Sequence, residues 1–254
     1  MMNLPQPKLG DITAFTITCN DIETSLAYYS QLGFRETMRS DFPFPWVHIS
    51  DGAVLIMLRK GDTPYCALTY YGGNMAGVAA ALEQEGIRFA QKPAPGDMLQ
   101  RYLIHSPDGL VISLINIEGF TRPAGPTMLT MPQQDMFNPE KYPNKVCGLY
   151  GELAHPVADL DASVAFWKKL GFTAVSTFNA PYPWAIVTDG LAVAGLHQTS
   201  NFDYPAITFF APDMKDRIAA LKESGITGMT ERSESNAVLT TPEGQHINLF
   251  KLGM

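Results

Sequence analysis

The hydrophobic pattern of the chain begins with a strand that leads directly into a helix. Residues 12–19 alternate between the two faces of a strand and are rich in Thr, Ile and Phe, which is typical of a half-buried strand. In the next segment apolar residues recur at helical spacing, Asn20-Asp21 provides a cap, and Gly33 provides a stop. The pattern therefore predicts a strand followed by an amphipathic helix.

Strand-like runs dominate the rest of the first half. We expect strands at 35–40, 45–50, 53–59 and 66–71, a helix at 74–85, and strands at 88–91, 100–105 and 110–116. Asp51-Gly52 and Pro107-Asp108-Gly109 are turn signals between neighbouring strands. The order strand, helix, three strands thus occurs twice in succession.

The second half of the chain repeats the first. Leu32-Gly33-Phe34 returns as Leu170-Gly171-Phe172, and PFPWVHISDG at 43–52 returns as PYPWAIVTDG at 181–190, both 138 positions later. Such self-similarity over a fixed offset indicates duplicated structural units. We predict an α+β fold of two tandem domains, each with two strand-helix-three-strand (βαβββ) units, four units in all.

Residues 118–146 separate the two copies and have no period. They contain five of the 19 prolines. Because proline cannot enter the interior of a sheet, we expect a Pro-rich linker on the surface. The predicted domains are then residues 10–117 and 147–252.

Charge and composition exclude several partners. The formal net charge is −7, from 18 Lys and Arg against 25 Asp and Glu, and there is no basic cluster to bind nucleic acid. The longest apolar run, residues 53–58, is too short to cross a membrane. Cys19, Cys66 and Cys147 lack the C-x-x-C spacing and indicate reduced thiols. We therefore expect a cytoplasmic protein without a nucleic-acid or membrane partner.

The tandem units resemble those of the vicinal oxygen chelate superfamily. The shared features are the Asp-hydrophobic-x-x-Ser start of the first helix, the Leu-Gly-Phe after it, and the Pro-Asp/Glu-Gly turn before the last strand. The superfamily includes glyoxalase I, extradiol dioxygenases, fosfomycin-resistance enzymes and bleomycin-resistance proteins. The resemblance implies that two units curl into a cup whose concave face holds the site. It leaves the activity open, because this scaffold carries lyases, dioxygenases, transferases and drug-binding proteins.

The resemblance also implies where a metal would bind. Enzymes of the superfamily typically place His on the first strand, His or another ligand at the start of the fifth, and Glu on the last. These positions fall on Ala14, on Cys66 or Ala67, and on Ser113 in the first copy, and on Glu152, on Pro205 or Ala206, and on Asn248 in the second. His246 shares the face of Asn248. Glu152, His246 and Asn248 are thus the only metal candidates, and they fall short of the usual set, so we expect no metal or other cofactor.

The remaining histidines and the repeated Pro-aromatic-Pro-Trp segment are open to structural interpretations. His155 is expected to face the helix layer, and His48 and His197 to be polar strand residues. In the structural interpretation, Trp46 and Trp184 pack one domain against the other or pack a hairpin onto its own sheet. In the functional interpretation, they form an aromatic wall for a ligand.

These observations leave more than one function open. The first hypothesis is a metal-independent binding protein of the glyoxalase/bleomycin-resistance type for an aromatic or amphipathic small molecule. Its site would be lined by Trp46, Trp184, Glu152, His246, Asn248 and Ser113. The alternative is a vicinal oxygen chelate enzyme, either a lyase, an isomerase or a dioxygenase, with an atypical metal site or a metal-free Glu152–His246 acid–base pair in domain 2. A third hypothesis makes one copy a scaffold. The protein is expected to be a monomeric pseudo-dimer or a homodimer.

Overall fold

A computed structural model describes residues 4–63 and 65–253 of the chain. Domain 1 contains β1 (Ile12–Cys19), α1 (Ile22–Gln31), β2 (Arg35–Ser40), β3 (Trp46–Ser50), β4 (Leu55–Lys60), β5 (Cys66–Tyr71), α2 (Met75–Gln84), β6 (Tyr102–His105) and β7 (Val111–Ile115). Domain 2 contains β8 (Leu149–Pro156), α3 (Leu160–Lys169), β9 (Thr173–Phe178), β10 (Trp184–Thr188), β11 (Val193–His197), β12 (Ala206–Ala211), α4 (Met214–Glu223), β13 (Met229–Ser233), β14 (Asn236–Thr240) and β15 (His246–Lys251). Two short 3₁₀ helices, Gln133–Asp135 and Pro139–Lys141, lie between them.

Each domain forms one mixed sheet from its two units. The strand order is β2-β3-β4-β1-β5-β7-β6 in domain 1 and β13-β14-β15-β12-β8-β11-β10-β9 in domain 2. The units meet at the centre, where β1 pairs antiparallel with β5 and β8 pairs antiparallel with β12. The predicted α+β fold with two tandem domains is therefore confirmed.

The caps of the helices explain why the duplicated sequence signals recur. Asp21 accepts a hydrogen bond from the backbone N–H of Thr24 at 2.7 Å, and Asp159 accepts one from Ala162 at 3.0 Å. Each carboxylate satisfies a backbone donor that the first turn of a helix leaves free. Gly33 follows α1 with a φ of 85°, a conformation that favours glycine. The predicted helix start and stop are both confirmed.

One predicted strand is missing. Residues 88–91 form no strand, and only an isolated bridge joins Gln91 to Leu103. Pro93, Pro95 and Gly96 follow immediately, and prolines cannot continue a ladder of hydrogen bonds. The second unit of domain 1 is thus the one that departs from the βαβββ pattern.

The helix-bearing faces of the two sheets pack against each other. Phe34 and Phe209 meet across the domains with ring centroids 6.3 Å apart, and the hydroxyl of Tyr70 donates to Asp189 at 2.7 Å. Because apolar side chains from both domains share one buried cluster, the duplicated halves form a continuous core. The opposite face of each sheet, which we call the cup of its domain, holds a separate cavity.

The linker is less superficial than its composition predicts. Its prolines lie outside the strands, as expected, but Met131, Tyr142 and Asn144 are buried. Asn144 donates from Nδ2 to the carbonyl of Leu32 at 3.0 Å and thereby fastens the linker to domain 1. Phe120 extends the apolar cluster of the domain 1 cup. The expectation of a purely surface linker is therefore wrong, because its apolar and amide side chains fill gaps that the two sheets leave.

The helices α1 to α4 have ten residues each. In residues 4–63 and 65–253, no helix combines the length and the apolar character needed to cross a membrane.

Candidate functional site

The cup of domain 2 contains a cavity of about 360 Å³ with both polar and aromatic walls. It is lined by Glu152, Ala154, Tyr182, His197, Asn201, Phe202, Tyr204, Arg232, Val238, Asn248 and Phe250. Pockets that combine aromatic walls with a few convergent polar groups are the usual sites for small organic molecules.

A carboxylate and an imidazole form the buried polar centre of this cavity. Glu152 on β8 and His197 at the end of β11 are 5% and 9% exposed, and Oε1 of Glu152 lies 2.9 Å from Nε2 of His197. An ionised carboxylate can only accept, so in the pairing of an ionised Glu152 with His197 it is Nε2 that donates. Each group satisfies the other, so neither is left as an unpaired buried polar group.

A glycine makes room for the carboxylate. Gly195 lies on β11 beside β8, and a Cβ added there would clash with Oε2 of Glu152. Real Cβ atoms do not come that close, so any side chain at Gly195 would displace Glu152 from His197. The absence of a side chain at this position is therefore part of the site.

Aromatic stacking fixes the plane of the imidazole. The ring of Trp184 stacks on His197 with centroids 5.4 Å apart and an angle of 9° between the planes. Phe178 stacks on Trp184 at 4.1 Å. Trp184, predicted as a possible wall of the ligand cup, thus packs against His197. Its indole N–H donates to the carbonyl of Ala180 at 3.3 Å.

The hydroxyl of Tyr182 lies on the other side of the imidazole. It is 3.4 Å from Nδ1 of His197, the nitrogen that the carboxylate leaves unused. Burial and the negative charge of Glu152 both raise the pKa of Tyr182. The phenol therefore keeps its proton near neutral pH, and Tyr182, His197 and Glu152 form a continuous chain of polar atoms.

The other predicted residues of domain 2 surround this chain. Asn248 lines the cavity and donates from Nδ2 to the hydroxyl of Thr208 at 3.1 Å. His246 stacks on Tyr204 with centroids 3.6 Å apart, and burial lowers the pKa of its imidazole. The partner of Glu152 is thus His197, whereas the sequence had suggested His246.

The cup of domain 1 holds the remaining two predicted residues in a different environment. Its cavity of about 250 Å³ is lined by Thr16, Phe42, Pro43, Phe44, Trp46, Met57, Arg59, Tyr65, Thr69, Tyr71, Met98, Leu99, Arg101, Ser113, Ile115, Ile117 and Phe120. Trp46 and Ser113 therefore belong to one cup, while Glu152, Asn248 and their neighbours belong to the other. His48 lies against Trp46 and Phe120, and burial lowers its pKa to about 4.

Comparison with solved structures identifies the fold. No protein-family model matches the sequence, and a search of curated proteins gave no match. The 2,3-dioxygenase LapB from Pseudomonas sp. KL28 superposes with a TM-score of 0.61 at 14% identity, covering 100% of this chain and 94% of LapB. Homoprotocatechuate 2,3-dioxygenase from Arthrobacter globiformis gives 0.61 at 14% identity, covering 98% and 82%. An extradiol ring-cleaving dioxygenase from B. fuscum gives 0.61 at 14% identity, covering 96% and 72%.

The chain has the fold of the vicinal oxygen chelate superfamily. The resemblance drawn from the sequence is thereby confirmed for the fold, and the identities are too low to carry an activity with it.

The residues of this vicinal oxygen chelate fold do not fit the three-ligand metal site that the resemblance implies. Strand pairing aligns Ala14, Thr69 and Ser113 across the domain 1 cup, and Glu152, Thr208 and Asn248 across the domain 2 cup. Among the described residues, no three His, Cys, Asp or Glu side chains converge on one point. One carboxylate with one imidazole is short of the usual transition-metal set, and amides and hydroxyls are poor replacements.

Sequence reasoning missed two members of the domain 2 site. The sequence pattern predicts an ordinary structural role for His197 and shows Tyr182 only as part of a repeated aromatic segment. The repeat offered one signal, because His197 lies 138 positions after Arg59, the offset that also relates Trp46 to Trp184. A cationic or titratable residue at the same place in both copies is a reason to suspect a site.

Proposed function

We propose that this protein is an enzyme that moves a proton on a small organic substrate held in the domain 2 cup. The reaction class is isomerisation or lyase chemistry that begins with removal of a proton from a carbon next to a carbonyl group. The observation that carries the proposal is the buried Glu152–His197 pair on the wall of the cavity. Paired titratable groups in a cleft are typical of acid–base catalysis.

The solved structures support an enzyme over a protein that only binds. The neighbours named above are dioxygenases, so they favour the enzyme alternative over metal-independent binding. The ring-cleaving chemistry of those enzymes is not part of the proposal. Its usual ligand set, two histidines and a carboxylate on iron, has no counterpart around Glu152 and His197.

In the proposed reaction each group has a separate role. The carboxylate of Glu152 takes the proton as the substrate C–H bond breaks, and the electron pair moves into the carbonyl group to give an enolate. His197 donates from Nε2 to Glu152 and so holds the carboxylate in place. The hydroxyl of Tyr182, which lies 3.4 Å from Nδ1 of His197, turns its single proton from that nitrogen to the enolate oxygen. Return of the proton to the opposite face of the same carbon gives the epimer, and departure of a β substituent with its bonding electron pair gives a lyase product.

The cavity also restricts the substrate. Tyr204, Phe202 and Phe250 provide flat apolar walls, and Asn248 adds a polar group to the lining. A small aromatic carbonyl compound matches these walls, since aromatic rings pack well on one another.

Proton exchange in D₂O tests the proposal without knowledge of the natural substrate. Phenylacetone and phenylpyruvate serve as probes, and proton NMR follows the loss of the methylene signal. We expect the protein to accelerate exchange of at least one probe about 100-fold or more over matched buffer, the scale of a positioned base. Dialysis against EDTA should leave that rate unchanged. Absence of acceleration with both probes, or loss of the rate after chelation, would contradict the proposal.

A further inference from the structure

The domain 1 cup combines an apolar cavity with two arginines. Arg59 and Arg101 both line the cavity of about 250 Å³. No ion pair between either arginine and a carboxylate occurs among residues 4–63 and 65–253. Nε of Arg101 is buried without a hydrogen-bond partner. An unpaired charge at an apolar cavity is costly, and it is stabilised when an opposite charge binds.

Neighbouring side chains hold Arg59 in place. Its Nε donates to the hydroxyl of Thr18 at 3.1 Å, and its guanidinium lies 5.4 Å from the ring of Phe44 and 5.0 Å from the ring of Tyr65. Burial and the like charge of Arg101 both lower the pKa of Arg59. The guanidinium is therefore positioned but electrostatically unsatisfied.

Two further polar groups lie in the same cavity. Ser113 is 1% exposed, and its hydroxyl interacts with the phenol of Tyr65, which also lines the cavity. Buried polar atoms are almost always hydrogen-bonded, so the unpartnered Nε of Arg101 at this cavity calls for an explanation.

The internal repeat shows what distinguishes this cup from the other. Arg59 occupies the repeat position of His197, and Ala14 occupies that of Glu152, since both pairs are 138 positions apart. In domain 2 the chain itself supplies the carboxylate for the basic side chain. In domain 1 a basic side chain stands at the equivalent position, and alanine stands in place of the carboxylate.

We propose that the domain 1 cup is a second ligand site, which binds an amphipathic anion with a flat apolar body and a carboxylate-like head. The body lies among Trp46, Tyr71 and Phe120, which line the cavity. The head meets Arg59 and Arg101, because a guanidinium matches the geometry of a carboxylate. This site does not depend on the chemistry proposed for domain 2.

Isothermal titration calorimetry with a matched pair of probes tests this site. The probes are 2-naphthoate and 2-naphthamide, which have nearly the same shape and differ in charge. We expect the wild-type protein to bind naphthoate about 10- to 100-fold more tightly than naphthamide, the usual gain from a charge-assisted hydrogen bond. The double variant Arg59→Gln with Arg101→Gln should bind the two probes equally. Equal affinities in the wild type, no binding of either probe, or a preference that survives the double variant would overturn the proposal.

Two further variants locate the site and exclude misfolding. Arg59→Lys keeps the charge and should retain most of the preference for naphthoate, which an unfolded domain would not. Glu152→Gln should leave both affinities unchanged, because Glu152 lies in the other cup. Loss of naphthoate binding in Glu152→Gln would place the probe in domain 2 and overturn the assignment.

Discussion

Replacing Glu152 with glutamine is expected to lower the rate of probe proton exchange by about 100-fold or more. The amide keeps the size of the side chain but cannot accept a proton, and a positioned general base contributes about 10²- to 10⁴-fold. The change acts on a residue whose carboxylate lies 2.9 Å from His197 in the cavity wall. The measurement is the initial rate of loss of the methylene proton signal in D₂O.

Two variants accompany this measurement. Asp161→Asn, an exposed carboxylate on α3, is the matched control and should keep the wild-type rate. Gly195→Ala leaves Glu152 in the sequence but pushes it away from His197, so it should lose as much activity as Glu152→Gln. Combined in one chain, the two changes should lower the rate no further than either does alone, since residues that act as one unit are not additive. Rates within a small factor of wild type in Glu152→Gln would show that the pair is structural.

Acidification from neutral pH to about pH 4 is expected to destabilise the protein through two buried histidines. Burial lowers the pKa of His48 and of His155 from 6.5 to about 4. The unfolded chain therefore binds more protons than the folded one in this window, and stability falls as the pH falls from 6.5 toward 4. Each histidine lowers the free energy of unfolding by roughly 3 kcal/mol near pH 4, a figure that follows from the size of its pKa shift. Urea unfolding at pH 7 and at pH 4 measures the difference.

The variant His48→Gln isolates one of these contributions. Glutamine stays neutral, so the variant should lose about 3 kcal/mol less than the wild type between the two pH values. The variant is needed because other buried groups titrate in the same pH range. Burial raises the pKa of Asp51 and of Asp189, so their protonation stabilises the folded state as the pH falls and offsets the loss of stability from the histidines. An unchanged pH dependence in His48→Gln would mean that this imidazole is protonated in the folded state.

The repeat allowed most of the fold to be predicted from the sequence. Duplicated helix starts at Asp21 and Asp159, with glycines after each helix, fix where helices begin and end by local hydrogen bonds. The missing strand at 88–91 lies at an edge, where pairing with one neighbour is easily lost to nearby prolines. A local sequence pattern predicts a strand least well where contacts with other parts of the chain determine whether the strand forms.

The site was predictable only in part, because it depends on contacts between strands. The sequence placed Glu152 and Asn248 on the concave face from their strand register, and both line the cavity. It could not choose His197 over His246, since the choice depends on which neighbouring strand lies beside β8. The position of Phe120 could not be predicted for a similar reason, because the linker sequence around it does not indicate that this residue folds back over the domain 1 cup.

The hydrogen bond between Glu152 and His197 underlies the proposed chemistry, and nitrogen-15 NMR of the histidine side chains measures it most directly. Long-range correlation spectra assign the proton of each ring nitrogen. We expect His197 to carry a slowly exchanging proton on Nε2, and we expect that proton to exchange much faster in Glu152→Ala. A His197 ring with no proton on Nε2, or an Nε2 proton that Glu152→Ala leaves unchanged, would contradict the pairing and with it the proton-transfer site.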